Sequence, residues 1–258
     1  AEMIQDLISN EDNNNDSTQF LFYFTKFINN YADGILPEKF YNLVQNSRLI
    51  PINKSSGGIR PIVLVELIDK IAGSAFLSRS NIKDKIGKLL KPFQVGINTS
   101  SAIEMVNKLL EVKKFQNPDL DVVALDFKNA FNNISRTTIL NELQKSFPEI
   151  YNWQIKQLNK SSRLWIKTDD VSENIGFIRS NEGVQQGSSL GPFLFALALN
   201  PTLQEMNKII SQDNHHEQKS VVISYLDDTN IISETDKIIK IYDFIKTEGP
   251  KVGLLLNP

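Results

Sequence analysis

The sequence contains no cysteine. Disulfides, thiolate zinc sites and cysteine nucleophiles are excluded together. Histidine is nearly absent too: His215 and His216 are adjacent, inside the polar stretch 211–218. That pair reads as surface loop, because a histidine metal site needs further ligands at other spacings. Any metal chemistry must use oxygen ligands, which points to magnesium, manganese or calcium. No apolar run approaches the roughly 18 residues of a membrane span. The start, Ala1-Glu2-Met3, has neither the basic nor the apolar region of a secretion signal. We expect no membrane partner and an intracellular protein, in nucleus or cytoplasm. The missing initiator methionine reads as a piece cut from a longer polypeptide.

Positive charge is also short. Lys and Arg number 28 against 30 Asp and Glu, a net charge of −2. A protein that grips phosphates usually shows a basic excess. A nucleic-acid partner would therefore require clustered basic residues, or a binding surface partly supplied elsewhere. What is present is ample apolar material, 41% of 258 residues, enough for one large domain or two closely packed subdomains.

Residues 9–18 are polar and acidic, and we expect a flexible lead-in over 1–18. An apolar helix should run from about Gln19 to Asn29. Arg48–Ile52 and Ile59–Val63 flank the turn residues Ser55-Ser56-Gly57-Gly58, giving strand, turn, strand. Residues 65–79 and 102–114 have helical spacing. Asp121–Leu125 is a short buried strand that ends on Asp126. Helices are expected over 137–146 and 149–159, then a hairpin from Leu164–Ile166 and Ile175–Ile178. A long apolar helix over 190–210 should kink at Pro201. Val221–Tyr225 and Thr229–Ser233 are β-branched arms around Leu226-Asp227-Asp228. A helix over 235–247 and a strand over 252–256 close the chain. Strands and helices mix without a βαβ rhythm, so the fold class is α+β.

The chemistry lies in the carboxylates. Asp126 ends an apolar strand, and Asp227 and Asp228 sit at an apolar hairpin tip. Charges placed there are costly unless compensated. Brought together they repel and raise one another's pKa values. A divalent cation removes that penalty, and two such ions can hold both the attacking and the leaving oxygen of a phosphoryl transfer. An isolated Asp-Asp pair in a tight turn is ordinarily just turn chemistry. The order of the surrounding motifs changes its meaning.

From about residue 31 onward the chain resembles reverse transcriptases, especially those of non-LTR (LINE-like) retroelements. Leu36-Pro37, Arg48–Lys54 and Gly57–Ile62 look like the family's fingers segment, and Gln94-Val95-Gly96 like the next block. Asp126-Phe127-Lys128-Asn129-Ala130-Phe131 looks like motif A, Gly183–Pro192 like motif B, Tyr225-Leu226-Asp227-Asp228 like motif C and Gly253–Pro258 like the start of motif D. Two departures stand out. Ser188-Ser189 occupies the place of a common Asp-Pro, and Leu226 that of an Ala common in non-LTR elements.

The resemblance implies a right-hand polymerase with fingers and palm, an antiparallel palm sheet packed on helices, and no thumb. It makes 19–115 mainly fingers and 116–258 mainly palm, with a fingers insertion around 134–180 and a thumb expected beyond 258. It implies RNA-directed DNA synthesis, with Asp126, Asp227 and Asp228 holding two magnesium ions (or manganese). The partners are an RNA template, a DNA or RNA primer, dNTPs and other domains of a parent polyprotein. Lys54 and Arg60 would reach the triphosphate, since both are cationic and Arg can fork across two oxygens. Phe131 would be the gate that excludes a ribose 2′-hydroxyl. Gln186 and Gly187 would lie under the template–nucleotide pair, Phe127 would belong to the substrate-binding set, and Tyr225 would support the primer end or the hairpin. The rivals are an RNA-templated RNA polymerase, which Phe131 opposes, and a catalytically inactive, domesticated nucleic-acid-binding protein.

Overall fold

The computed structural model describes residues 15–53, 57, 59–94, 102–166, 176–211 and 220–257. Lys54, Val95, Gly96 and both histidines lie outside these residues, as do 1–14 of the expected lead-in. The chain opens with α1 (Asn15–Ala32) and α2 (Glu38–Val44), then β1 (Ser47–Asn53) and β2 (Ile59–Leu64). Next come α3 (Leu67–Ser78), α4 (Ser80–Leu90), α5 (Ala102–Gln116) and β3 (Asp121–Leu125). They are followed by α6 (Ala130–Asn133), α7 (Arg136–Ser146), α8 (Pro148–Leu158), β4 (Ser162–Ile166) and β5 (Gly176–Ser180). The last elements are α9 (Gly191–Ser211), β6 (Val221–Tyr225), β7 (Asp228–Ser233), α10 (Thr235–Glu248) and the 3-10 turn Gly249–Val252.

Two sheets organise these elements. One has the order β2-β1-β4-β5, with β1 parallel to β4 and the other pairs antiparallel. It draws two hairpins about 110 residues apart in sequence into one layer. The other has the order β3-β7-β6 and is antiparallel throughout. The first half of helix α9 is apolar on every side and buries Phe193 to Asn200 without a break. A helix hydrophobic all round belongs in a core. It packs against α7, α10, α4 and β6, so the acidic hairpin rests on the most buried element. Pro201 lies inside α9, which continues as one helix to Ser211.

Three expectations need adjustment. Helix α1 is described from Asn15, four residues before the expected start. Helix α4 was not expected, although Ile82, Ile86 and Leu90 recur at i, i+4, i+8 and are all buried. The strand expected over 252–256 does not form. Gly249 and Pro250 open a 3-10 turn, and Gly253 at φ +83° reverses the chain. The segment beyond it pairs with the loop after β3, through Lys128 N–H to Leu255 O (2.7 Å) and Asn257 N–H to Asp126 O (2.9 Å).

Candidate functional site

The register of the three-stranded sheet sets the acidic site. Leu125 pairs with Thr229 across β3 and β7, so the next level places Asp126 beside Asp228. Tyr225 pairs with Asp228 across β6 and β7, leaving Leu226 and Asp227 as a two-residue turn. Leu226 stands at φ +57°, a conformation that costs a residue with a Cβ about 1–2 kcal/mol. Two buried hydroxyls brace it. Ser224 Oγ donates to the Leu226 carbonyl at 2.6 Å and lies 2.9 Å from Thr229 Oγ1.

The carboxylates differ in environment. Asp126 and Asp228 are exposed, whereas Asp227 is half-buried. Asp227 bears the electrostatic cost expected at the hairpin tip. Burial is the main force pushing its pKa up, and the neighbouring Asp228 and Asp126 push it further. Hydrogen bonding to its own backbone N–H and the charge of Arg60 pull the other way. Asp126 is held by Asn257, whose Nδ2–H donates to Oδ2 at 2.6 Å.

The hairpin tip separates two concavities. The first, of about 470 Å³, is lined by Asp227, Arg60, Phe131, Gln186, Gly187 and Pro192, among others. The second, of about 250 Å³, is lined by Asp126, Asp228, Tyr225 and Asn107 among others. Residues drawn from 60 to 228 in sequence thus meet at one hairpin. Phe127 does not: its ring is 3% exposed and sits in the core. Lys54 lies outside the described residues.

The first concavity is shaped by backbone. Val63 N–H donates to Gln186 O at 2.7 Å, tying the loop before α9 to the edge strand β2. Gly187 stands at φ +123°, and a Cβ there would lie 2.2 Å from Val63 O. Only glycine fits that approach. The Phe131 ring stacks on Phe195, with centroids 4.5 Å apart and planes 8° from parallel.

Sequence reading missed two site-supporting residues. Asn257 could have been suspected only from the family's motif D. Arg136 carries no motif signal. It is buried, and its guanidinium donates to Gly183 O (3.0 Å), Lys160 O (3.1 Å), Ser180 O (3.1 Å) and Ser180 Oγ (2.9 Å). Its backbone N–H donates to the Glu182 carboxylate at 3.1 Å. Burial pulls the guanidinium pKa down and Glu182 offsets that pull. The fork fastens 180–183, and Val184 N–H donates to Phe131 O at 2.7 Å. The Phe131 backbone and the loop bearing Gln186 are thereby joined.

A divalent cation suits this donor set, since all three candidates offer hard carboxylate oxygens and Asp227 lies under its neighbours' repulsion. Among the described residues no three acidic or histidine side chains form a ready-made metal cage. The fit is thus one of donor chemistry and charge. No described helix is long and apolar enough to cross a membrane.

An α+β fold with an acidic hairpin on an antiparallel sheet, facing a cationic and aromatic cleft, is that of a nucleic-acid polymerase. The chain belongs to the reverse transcriptase (RNA-dependent DNA polymerase) family, whose model matches residues 52–258. Among curated proteins it is similar to the retrotransposable element SLACS 132 kDa protein of Trypanosoma brucei gambiense. The identity is 24% over 76% of this chain and 15% of that protein. Among solved structures it resembles apo telomerase from Candida tropicalis, with TM-score 0.60 and 15% identity over 93% of this chain and 48% of that one. Telomerase from Candida albicans, solved with a fragment of telomeric RNA, gives TM-score 0.61 and 12% identity over 86% of this chain and 43% of that one. These structures share the fold, and the chain spans less than half the length of each relative.

Proposed function

We propose that the chain is the fingers-and-palm core of a retroelement reverse transcriptase, which adds deoxynucleotides to a primer 3′-hydroxyl on an RNA template. The observation that carries this is the register placing Asp126 beside Asp228, with Asp227 at the tip facing Arg60, Phe131 and Gln186. Residues 19–115 act mainly as fingers and 116–258 mainly as palm, with a fingers insertion around 134–180. The hairpins that join in the four-stranded sheet support this division.

Asp126, Asp227 and Asp228 would hold two divalent cations, magnesium or manganese, which when bound supply charge neutralisation for the attacking 3′-oxygen and the departing pyrophosphate. The remaining work falls to the chain itself. Arg60 forks across phosphate oxygens from the fingers, joined by Lys54. Phe131 fills the space a ribose 2′-hydroxyl would need. Gly187 lets the backbone come close beneath the new base pair, and Gln186 offers it a donor and an acceptor. Tyr225, on the other side of the tip, supports the primer end. Template, primer and dNTPs are the partners, together with further domains of a longer parent polypeptide.

The test is primer extension on an RNA template, with deoxy- and ribonucleotides compared side by side. Magnesium-dependent incorporation of deoxynucleotides is expected, and Asp227→Asn should abolish it. Preference for ribonucleotides would make the chain an RNA polymerase. Extension that survives Asp227→Asn refutes the assignment.

A further inference from the structure

Behind the inner face of the four-stranded sheet lies a cavity of about 50 Å³ that takes no part in the proposed chemistry. Ser47 of β1 and Ser162 of β4 form one wall, and Gln154 and Gln157 of α8 another. Asp69 of α3 and Gln185 close it. At roughly 10–15 Å³ for a particle the size of water, it has room for about three or four. Its lining is polar and deep: Ser47, Gln154 and Ser162 are 3%, 4% and 2% exposed. The Ser47 hydroxyl has no hydrogen-bond partner. Buried polar groups are ordinarily satisfied, so this one points to an occupant.

Asp69 supplies a charge. The Tyr31 hydroxyl donates to its Oδ1 at 2.9 Å, and Gln157 Nε2 donates to the same oxygen at 3.5 Å. Oδ2 has no donor among the described residues. Burial lifts this carboxyl only to a pKa of about 6, which leaves it ionised at neutral pH. Burial and Tyr31 account for that value, and no cationic side chain contributes to it. Arg136 lines the same cavity, yet its fork is taken up by the carbonyls of Lys160, Ser180 and Gly183. Its charge is offset by Glu182. Asp69 is therefore a buried anion without a counter-charge, and such groups are held by pairing with a cation.

The donor set selects the kind of cation. One carboxylate among hydroxyl and amide oxygens balances one positive charge. A divalent ion would leave a charge over in the interior, and such ions usually draw on several carboxylates. Water would reach Ser47 but leave Asp69 unbalanced. We propose that this cavity binds one dehydrated, potassium-sized monovalent cation, held by the Asp69 carboxylate, the Ser47 hydroxyl and the amide oxygens of Gln154 and Gln185. The ion ties α3, α8 and β1 to the loop that carries Gln185 and Gln186. The site stands whether or not the chain copies RNA.

The experiment uses the full chain and follows thermal unfolding by circular dichroism while KCl replaces tetramethylammonium chloride at constant total chloride. Tetramethylammonium is too large for the cavity, so the site fills while ionic strength stays fixed. The midpoint should rise along a saturable curve, by about 3–5 °C at roughly tenfold excess over the dissociation constant. Asp69→Asn keeps the shape of the side chain and should abolish the rise. Ser47→Ala removes a hydroxyl that bonds nothing in the protein. Its midpoint in tetramethylammonium should match that of the unmodified chain, while the potassium needed for half the rise increases about fivefold. No saturable rise in the unmodified chain overturns the proposal, and the cavity then holds water alone. An equal rise in Asp69→Asn also overturns it, since the ion would bind elsewhere. So does a Ser47→Ala curve that coincides with the unmodified one at every potassium concentration.

Discussion

The stack of Phe131 on Phe195 predicts that sugar selectivity depends on a residue that never touches substrate. Phe195 is completely buried in α9, whereas Phe131 is half-buried and lines the cleft. At 4.5 Å and 8° their rings are in stacking contact. Such a pair contributes about 0.5–1.5 kcal/mol beyond the area it buries. Phe195→Leu keeps an apolar side chain of similar volume, so the fold should lose less than about 1.5 kcal/mol. The Phe131 ring loses the partner that fixes its plane. If that plane excludes the 2′-hydroxyl, discrimination against ribonucleotides should fall by the same energy, about two- to tenfold. Single-nucleotide extension gives kcat/KM for a deoxynucleotide and its ribonucleotide. The ribonucleotide value should rise while the deoxynucleotide value stays within about twofold. Phe131→Val, which removes the ring itself, should relax selectivity further. Unchanged selectivity in Phe195→Leu alongside relaxed selectivity in Phe131→Val refutes the bracing role. Unchanged selectivity in both refutes the gate. An equal fall for both sugars means the core has repacked.

Other residues predict distinct outcomes. Arg136→Lys cannot span Gly183, Ser180 and Lys160 with one ammonium, so unfolding in urea should show a loss of roughly 3 kcal/mol; an unchanged midpoint at equal m-value would sink the clamp. Gly187→Ala places a Cβ 2.2 Å from Val63 O and should depress kcat by displacing β2 and Arg60, with deoxynucleotide incorporation as the readout and wild-type kinetics as the contrary result. Asp69 accepts a hydrogen bond from Tyr31 (2.9 Å), and burial lifts its pKa from the ordinary 3.8 to about 6. The folded state therefore binds this proton more tightly than the unfolded state. Stability from this group is fully present below the unfolded pKa and is lost as pH rises through the folded one, by on the order of 2 kcal/mol after allowance for solvent screening. Asp69→Asn should flatten the urea midpoint between about pH 4 and pH 6, and an identical slope in the variant would contradict the cause given.

How much of this was legible in the sequence depends on the range of the forces involved. The strand leading to Asp126 and the hairpin around Asp227 are local patterns, and both stand where the residues place them, although only Leu125 of that strand is buried. The fork of Arg136 draws on backbone groups from 160 to 183, so no window of sequence contains it. The parallel pairing of β1 with β4 is equally non-local. Phe127 follows Asp126 and was read as substrate-binding, yet strand alternation turns it into the core. Leu254-Leu255-Leu256 is apolar enough for a strand, but Gly253 reverses the chain before it and Leu256 makes only an isolated bridge to Phe127. Helix α4, by contrast, is a local signal, with Ile82, Ile86 and Leu90 at i, i+4 and i+8 and all buried.

The order of the small sheet anchors its acidic residues in different ways. β7 lies between β3 and β6, so the strand that carries Asp228 is hydrogen-bonded on both sides. Among the described strands β3 lies at the end of the order, and Asp126 follows its last paired residue, tethered by Asn257. Amides of β7 should therefore exchange with solvent deuterium more slowly than those at the end of β3. The centre therefore has one carboxylate set by a strand paired on both sides and one set by Asn257, which holds the Asp126 carbonyl and carboxylate together, so the position of Asp126 depends on a segment about 130 residues further along the chain.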